Sequence, residues 1–201
     1  MELDWKFLTV FLPSLLSAAS GLGGVWLGAN LTSQREARRE LEAKAQDLAY
    51  LAILVNSHLD RFVDRCVAVS FDDGTHYGAP ARADGTYEPT EPEPEFDPLT
   101  LDVKWKILPP ELMYGILSLP QQVEVLQRYT HGIAEHDGPP DYSEYFHARQ
   151  GGFARLGIYA LGLARQLRMY AQLPPPLDRP SKWDRETALR EQSAKYGERD
   201  Y

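Results

Sequence analysis

Glu144 and His147 stand three residues apart as E-x-x-H, a spacing that places a carboxylate and an imidazole on one helix face and that di-iron bundles use in duplicate. The chain has one copy and lacks the further glutamates such a centre needs, so two solvated polar side chains are expected and no metal is assigned. His131 and His136 are five apart, which turns them to different sides of a helix; His136 falls where a helix C-terminus favours a cation, so capping is its expected role. Asp72-Asp73-Gly74-Thr75 has the ending of the phosphatase motif D-x-D-G-T, but Phe71 occupies the nucleophile's place and no buried strand precedes it. The run is read as a turn that follows a helix, and Asp84-Gly85-Thr86 repeats the same turn signal. Cys66 is the single cysteine, which rules out an internal disulfide and a cysteine-rich zinc site and fits a reducing compartment; its place on an apolar helical stripe predicts core packing.

The twelve-position calcium loop, the phosphate-binding G-x-x-x-x-G-K-[ST], the dinucleotide G-x-G-x-x-G, the hydrolase G-x-S-x-G and the zinc H-E-x-x-H are all missing from the chain. No catalytic, cofactor-binding or metal-ligating residue is therefore assigned. A net charge of −8, with no basic stripe interleaved with aromatics, argues against nucleic acid as a partner.

The elements that would position these side chains begin with an anchor. Residues 7–34 carry no charge, and the first 25 of them, FLTVFLPSLLSAASGLGGVWLGANL, are apolar or small almost throughout. At about 1.5 Å per residue such a helix exceeds the ~30 Å hydrocarbon core, so a single tilted membrane span is expected. A signal peptide has a basic n-region and a shorter apolar run, whereas Glu2 and Asp4 precede Lys6 here. Trp5 and Trp26 lie near the ends of the run, and Pro13 is tolerated as a membrane-helix kink. Ser20, Gly24 and Gly28 share one face at spacings of four, the small-residue pattern for close helix–helix contact in a membrane, so a homo-oligomer or a membrane-protein partner is expected there. Arg35, Arg38, Arg39 and Lys44 follow the span while Lys6 alone precedes it, which predicts the N-terminus outside and the domain in the cytoplasm, at a bacterial inner membrane.

After this N-terminal segment (1–34), Leu41, Ala45, Leu48, Ala52, Val55, Leu59, Phe62, Cys66 and Val69 recur at alternating spacings of four and three. That 3.5-residue period predicts a long amphipathic helix over 35–71 with a coiled-coil-like seam, continuous with the span. Residues 72–102 then hold nine acidic residues against one basic residue, with five prolines. An acidic, Pro-rich loop over 72–100 is expected to be solvated, mobile and dispensable for folding, apart from a short hairpin at the D-G-T repeats. The remaining bundle helices occupy 101–173. One starts at Pro109-Pro110-Glu111. The next starts at Ser118 with an S-x-x-Q capping box to Gln121 and buries Leu119, Val123, Leu126, Tyr129 and Ile133 before Gly138-Pro139-Pro140. A third, residues 141–171, carries Phe146, Phe153, Leu156, Ala160, Leu163, Leu167 and Tyr170 on a seam, with Gly157 and Gly162 as sites of close helix approach. The charged tail, 174–201, is either unstructured or a solvated helix beginning near Ser181. The fold class is all-α: an N-terminal span, a long helix and a small antiparallel bundle.

The small-residue span, the basic flank, the segment DVKWKILPPELMYGILSLP and the helix FHARQGGFARLGIYALGLARQLR resemble uncharacterised single-pass, membrane-anchored helical proteins of bacteria. That resemblance implies no activity and transfers no functional residue. The functional expectation is a membrane-tethered, non-enzymatic interaction or scaffold module; the alternatives are a phage-type lysis or envelope-bridging component, or an enzyme whose site is not recognisable from sequence.

Overall fold

The computed structural model describes residues 5–175 and 184–196, and for residues 5–31 the backbone alone. The side chains of the expected span, with Ser20, Gly24 and Gly28, and the helix start expected near Ser181 lie outside the described residues. Among the described residues no helix is long and apolar enough to cross a membrane. The chain is mostly helical: α1 (Trp5–Phe71), a two-strand hairpin β1 (Thr75–His76) and β2 (Ala79–Pro80), two 3-10 turns, then α2 (Pro110–Leu117), α3 (Leu119–Ala134), α4 (Ser143–Tyr170) and α5 (Arg185–Tyr196). It divides into two units, Met1–Gln46 and Asp47–Tyr201.

In the first unit the side chains of residues 32–46 are exposed, Leu41 at 66 %. Leu41 and Ala45 belong to the seam by spacing, yet they are not buried. Apolar periodicity buries a side chain only where a second surface lies against it.

In the second unit the seam is realised. Leu51, Ala52, Val55, Leu59, Phe62, Cys66 and Val69 of α1 join Phe153, Leu156, Ala160, Leu163 and Leu167 of α4 in one core, with Ile116, Leu119, Val123 and Leu126 from α2 and α3. Pairings along α1 and α4 run in opposite senses: Asp60 meets Arg168, Cys66 meets Gly157, and Asp72 meets Arg149. A side chain on Gly157 would fall 2.9 Å from Leu189 Cδ1 and 3.0 Å from Cys66 Cβ, so the missing Cβ is what lets α1, α4 and α5 converge. Gly162 has open space around it and is not a site of helix approach. Tyr170, at the end of the α4 stripe, is 45 % exposed.

The expected capping box at Ser118 is not formed. Ser118 is itself helical and ends α2 as it begins α3; its hydroxyl donates to the Gly115 carbonyl and accepts from the Gln122 amide. A cap needs an extended N-cap residue, and none fits between two helices that follow each other without a loop. The tail is more than a solvated helix: α5 buries Ala188 and Leu189 against α4, and Arg185 reaches Asp60 and Asp64 of α1 at 2.9 and 2.8 Å.

The acidic segment also departs from expectation. A hairpin is present, pairing Thr75 with Pro80 and His76 with Ala79, and residues 77–80 are exposed. Pro94, Phe96 and Pro98, however, are buried, and the Phe96 ring packs tilted against that of Phe62, with centroids 5.8 Å apart and planes at 58°. Average composition hides where the few apolar side chains fall; one buried phenylalanine contributes about 1.5–3 kcal/mol, enough to hold a short strap.

Candidate functional site

Where α1 ends, Asp72 follows Val69 by three residues and so continues the seam into the core as a carboxylate. On α4, Arg149 lies three residues after Phe146 and four before Phe153, the seam position that the apolar pattern leaves vacant. The antiparallel packing brings the two together: Arg149 Nη1 lies 2.7 Å from Asp72 Oδ2, with both side chains essentially fully buried. Burying a charge is unfavourable unless it is paired and its other hydrogen-bonding capacity is met. The acidic segment meets most of it. The backbone N–H of Thr90 and of Glu91 donate to Asp72 Oδ2 at 3.0 and 3.1 Å, and the Thr90 hydroxyl donates to Oδ1 at 2.8 Å. Gly74 N–H adds a bond to Oδ1 at 3.0 Å, and the Gln150 amide donates to the Asp72 carbonyl at 2.8 Å. Arg149 Nη2 donates to the Glu91 carbonyl at 2.6 Å. Arg149 Nε and Gln150 Oε1 are buried without a hydrogen-bond partner, and the Glu93 carboxylate stands 3.9 Å from that Nε.

Burial acts to raise the Asp72 carboxyl, but the N–H groups of Glu91 and Gly74, the Thr90 hydroxyl and Arg149 together hold it below the usual carboxylate range. A carboxylate so fully engaged makes a poor general base. The arrangement clamps residues 90–93 onto the ends of α1 and α4. A cavity of about 480 Å³ opens beside it, lined by Pro92, Glu93, His131, Tyr145 and Arg149 among others. Burial pushes the Tyr145 hydroxyl up, against the opposing charge of Arg149, with Glu93 and Asp72 adding to the rise.

The residues singled out by spacing do not converge. Glu144 is exposed and lines a different cavity, at the end of α3, with His136 and Asp137. His147 is exposed and its ring lies 4.9 Å from that of Tyr196 on α5. His131 borders the clamp cavity, away from His136, which lies beyond the last residue of α3. Cys66 is buried against Gly157, and burial pushes its thiol up, away from the reactive thiolate. Asp73 makes the local turn expected of it, accepting from Thr75 N–H and hydroxyl at 3.1 and 2.7 Å. Among the described residues no group of three or more His, Cys, Asp or Glu side chains is placed to hold a metal ion. An apolar groove of about 500 Å³ lies between α3 and α4, with Val125 and Tyr159 each 41 % exposed.

Sequence reasoning misses the clamp because it looks for polar residues near one another along the chain, and Asp72 and Arg149 are 77 residues apart. The signal was their position: each occupies an apolar-stripe register with a charge. Compared with protein-family models, curated proteins and solved structures, the chain has no match.

Proposed function

We propose that this chain is a membrane-tethered helical interaction module, non-enzymatic, held at the cytoplasmic face of a bacterial inner membrane. The observation that carries the proposal is the run of residues 7–34, uncharged throughout and long enough to span a hydrocarbon core, followed at once by Arg35, Arg38 and Arg39. What is built on the other side of that run supports a binding role. The buried polar cluster around Asp72 and Arg149 has most of its donors and acceptors engaged with one another in holding a strap. In the membrane, the face of Ser20, Gly24 and Gly28 suits contact with a second copy or with another membrane helix.

Fractionation tests the tether: the protein should stay with membranes through an alkaline carbonate wash. Alkaline phosphatase fused after Tyr201 should be silent and a fluorescent protein at the same place should glow. The opposite pair would invert the topology and favour an envelope-bridging role. Replacing Gly24 and Gly28 with Ile should weaken self-association in a membrane two-hybrid assay, and unchanged association would remove that face as the contact.

A further inference from the structure

Beyond the apolar run, α1 continues as helix through Thr32–Gln46 with its side chains exposed. At about 100° per residue, Arg38, Arg35 and Arg39 span an arc of about 100° on this helix, while Glu36 and Glu40 fall together on a separate arc. Glu42 faces the arginine side one turn further on, yet among the described residues none of the three arginines forms an ion pair with Glu36, Glu40 or Glu42. Three guanidinium groups are thus gathered on one side of an exposed helix, with Glu42 the one carboxylate on the same arc. At about 1.5 Å per residue, they stand about 6–12 Å along the axis beyond Leu31, from within one Debye length of the surface in which that residue would lie to about one and a half.

We infer that Arg35, Arg38 and Arg39 form a binding face for the phosphates of anionic phospholipid headgroups, an inference that rests on the membrane tether proposed above. Planar guanidinium forks match phosphate oxygens two at a time, and long arginine stems can bend back toward the bilayer while the charge stays in the headgroup layer. The neighbouring acidic arc, Glu36 with Glu40, is repelled by the same surface. The two faces together therefore choose which side of the helix leans toward the lipid. Besides adding affinity, the arginine face orients the helix as it leaves the bilayer.

The test uses the full chain in two steps. First, the protein is reconstituted into vesicles of pure phosphatidylcholine and floated on a density gradient after a carbonate wash; flotation is expected, since the apolar run needs no lipid charge. Failure here overturns the tether and the headgroup face together. Second, mass spectrometry of the intact protein released from mixed micelles holding equal phosphatidylglycerol and phosphatidylcholine compares retained lipids. The wild-type chain should retain phosphatidylglycerol by about tenfold or more over phosphatidylcholine, and R35Q/R38Q/R39Q should bring the ratio to within about twofold of one. The triple lysine variant R35K/R38K/R39K, which keeps the charge, should keep most of the preference. A wild-type chain that floats but retains both lipids equally overturns the headgroup face and leaves the tether standing. So does a glutamine variant that retains the full preference.

Discussion

Two turns in the acidic segment share one local design and have different fates. At Asp73-Gly74-Thr75 and at Asp84-Gly85-Thr86 the aspartate accepts from the threonine N–H and hydroxyl, at 3.1 and 2.7 Å in the first and 3.0 and 2.6 Å in the second, with the glycine at φ +76° and +86°. The first turn is preceded by Asp72, which is buried against Arg149, and its glycine lies under the Phe146 ring; the second stands in solvent with open space around Gly85. Local chemistry shapes both turns, and contact with α4 makes one of them structural.

The largest effect should come from removing the arginine. R149A leaves the Asp72 carboxylate buried without its partner and should destabilise the second unit by about 3–5 kcal/mol in chemical denaturation. R149M combined with D72L, which takes away both charges, should recover a good part of that loss. A cost below about 1 kcal/mol for R149A would mean the pair is dispensable and the two turns are equivalent.

Next come the glycines. G74A must place a Cβ against Phe146 in a left-handed conformation, and should cost about 2–4 kcal/mol; G85A meets the conformational cost alone, about 1 kcal/mol. Equal losses from the two, measured by thermal unfolding, would show that Phe146 yields freely.

Acid should separate the turns as well. The Asp72 carboxyl is held below its unfolded value, so the stability it brings is present above the unfolded value of about 4 and is lost as the pH falls through the folded one. The wild type should weaken below about pH 4, whereas D72N should start less stable at neutral pH and approach the wild type in acid. Parallel curves would remove Asp72 from the account.

The smallest effect is expected at the exposed turn. The Thr86 hydroxyl and N–H hold the Asp84 carboxyl low, but D84N should leave the melting temperature unchanged within error. A clear drop would mean that the second turn also bears on the fold.

The sequence by itself determined the helical class, the periodic stripe of α1 from Leu48 onward, most of the buried face of α4 and the turn chemistry of both D-G-T runs, because each depends on residues a few positions apart. It left Gly157 and Gly162 looking alike, and tertiary structure alone distinguished them by passing α1 and α5 over the first. It made Leu41 and Leu48 members of one seam, and tertiary contact decided which of them is covered. The clamp was the least legible feature. Asp72 and Arg149 each look misplaced in an apolar register until antiparallel packing sets one against the other, and Thr90 and Glu91 gain their role only when the strap returns to that point. Periodicity reports which side of a helix avoids water, but pairing across 77 residues is set by how whole helices pack, which no local spacing records.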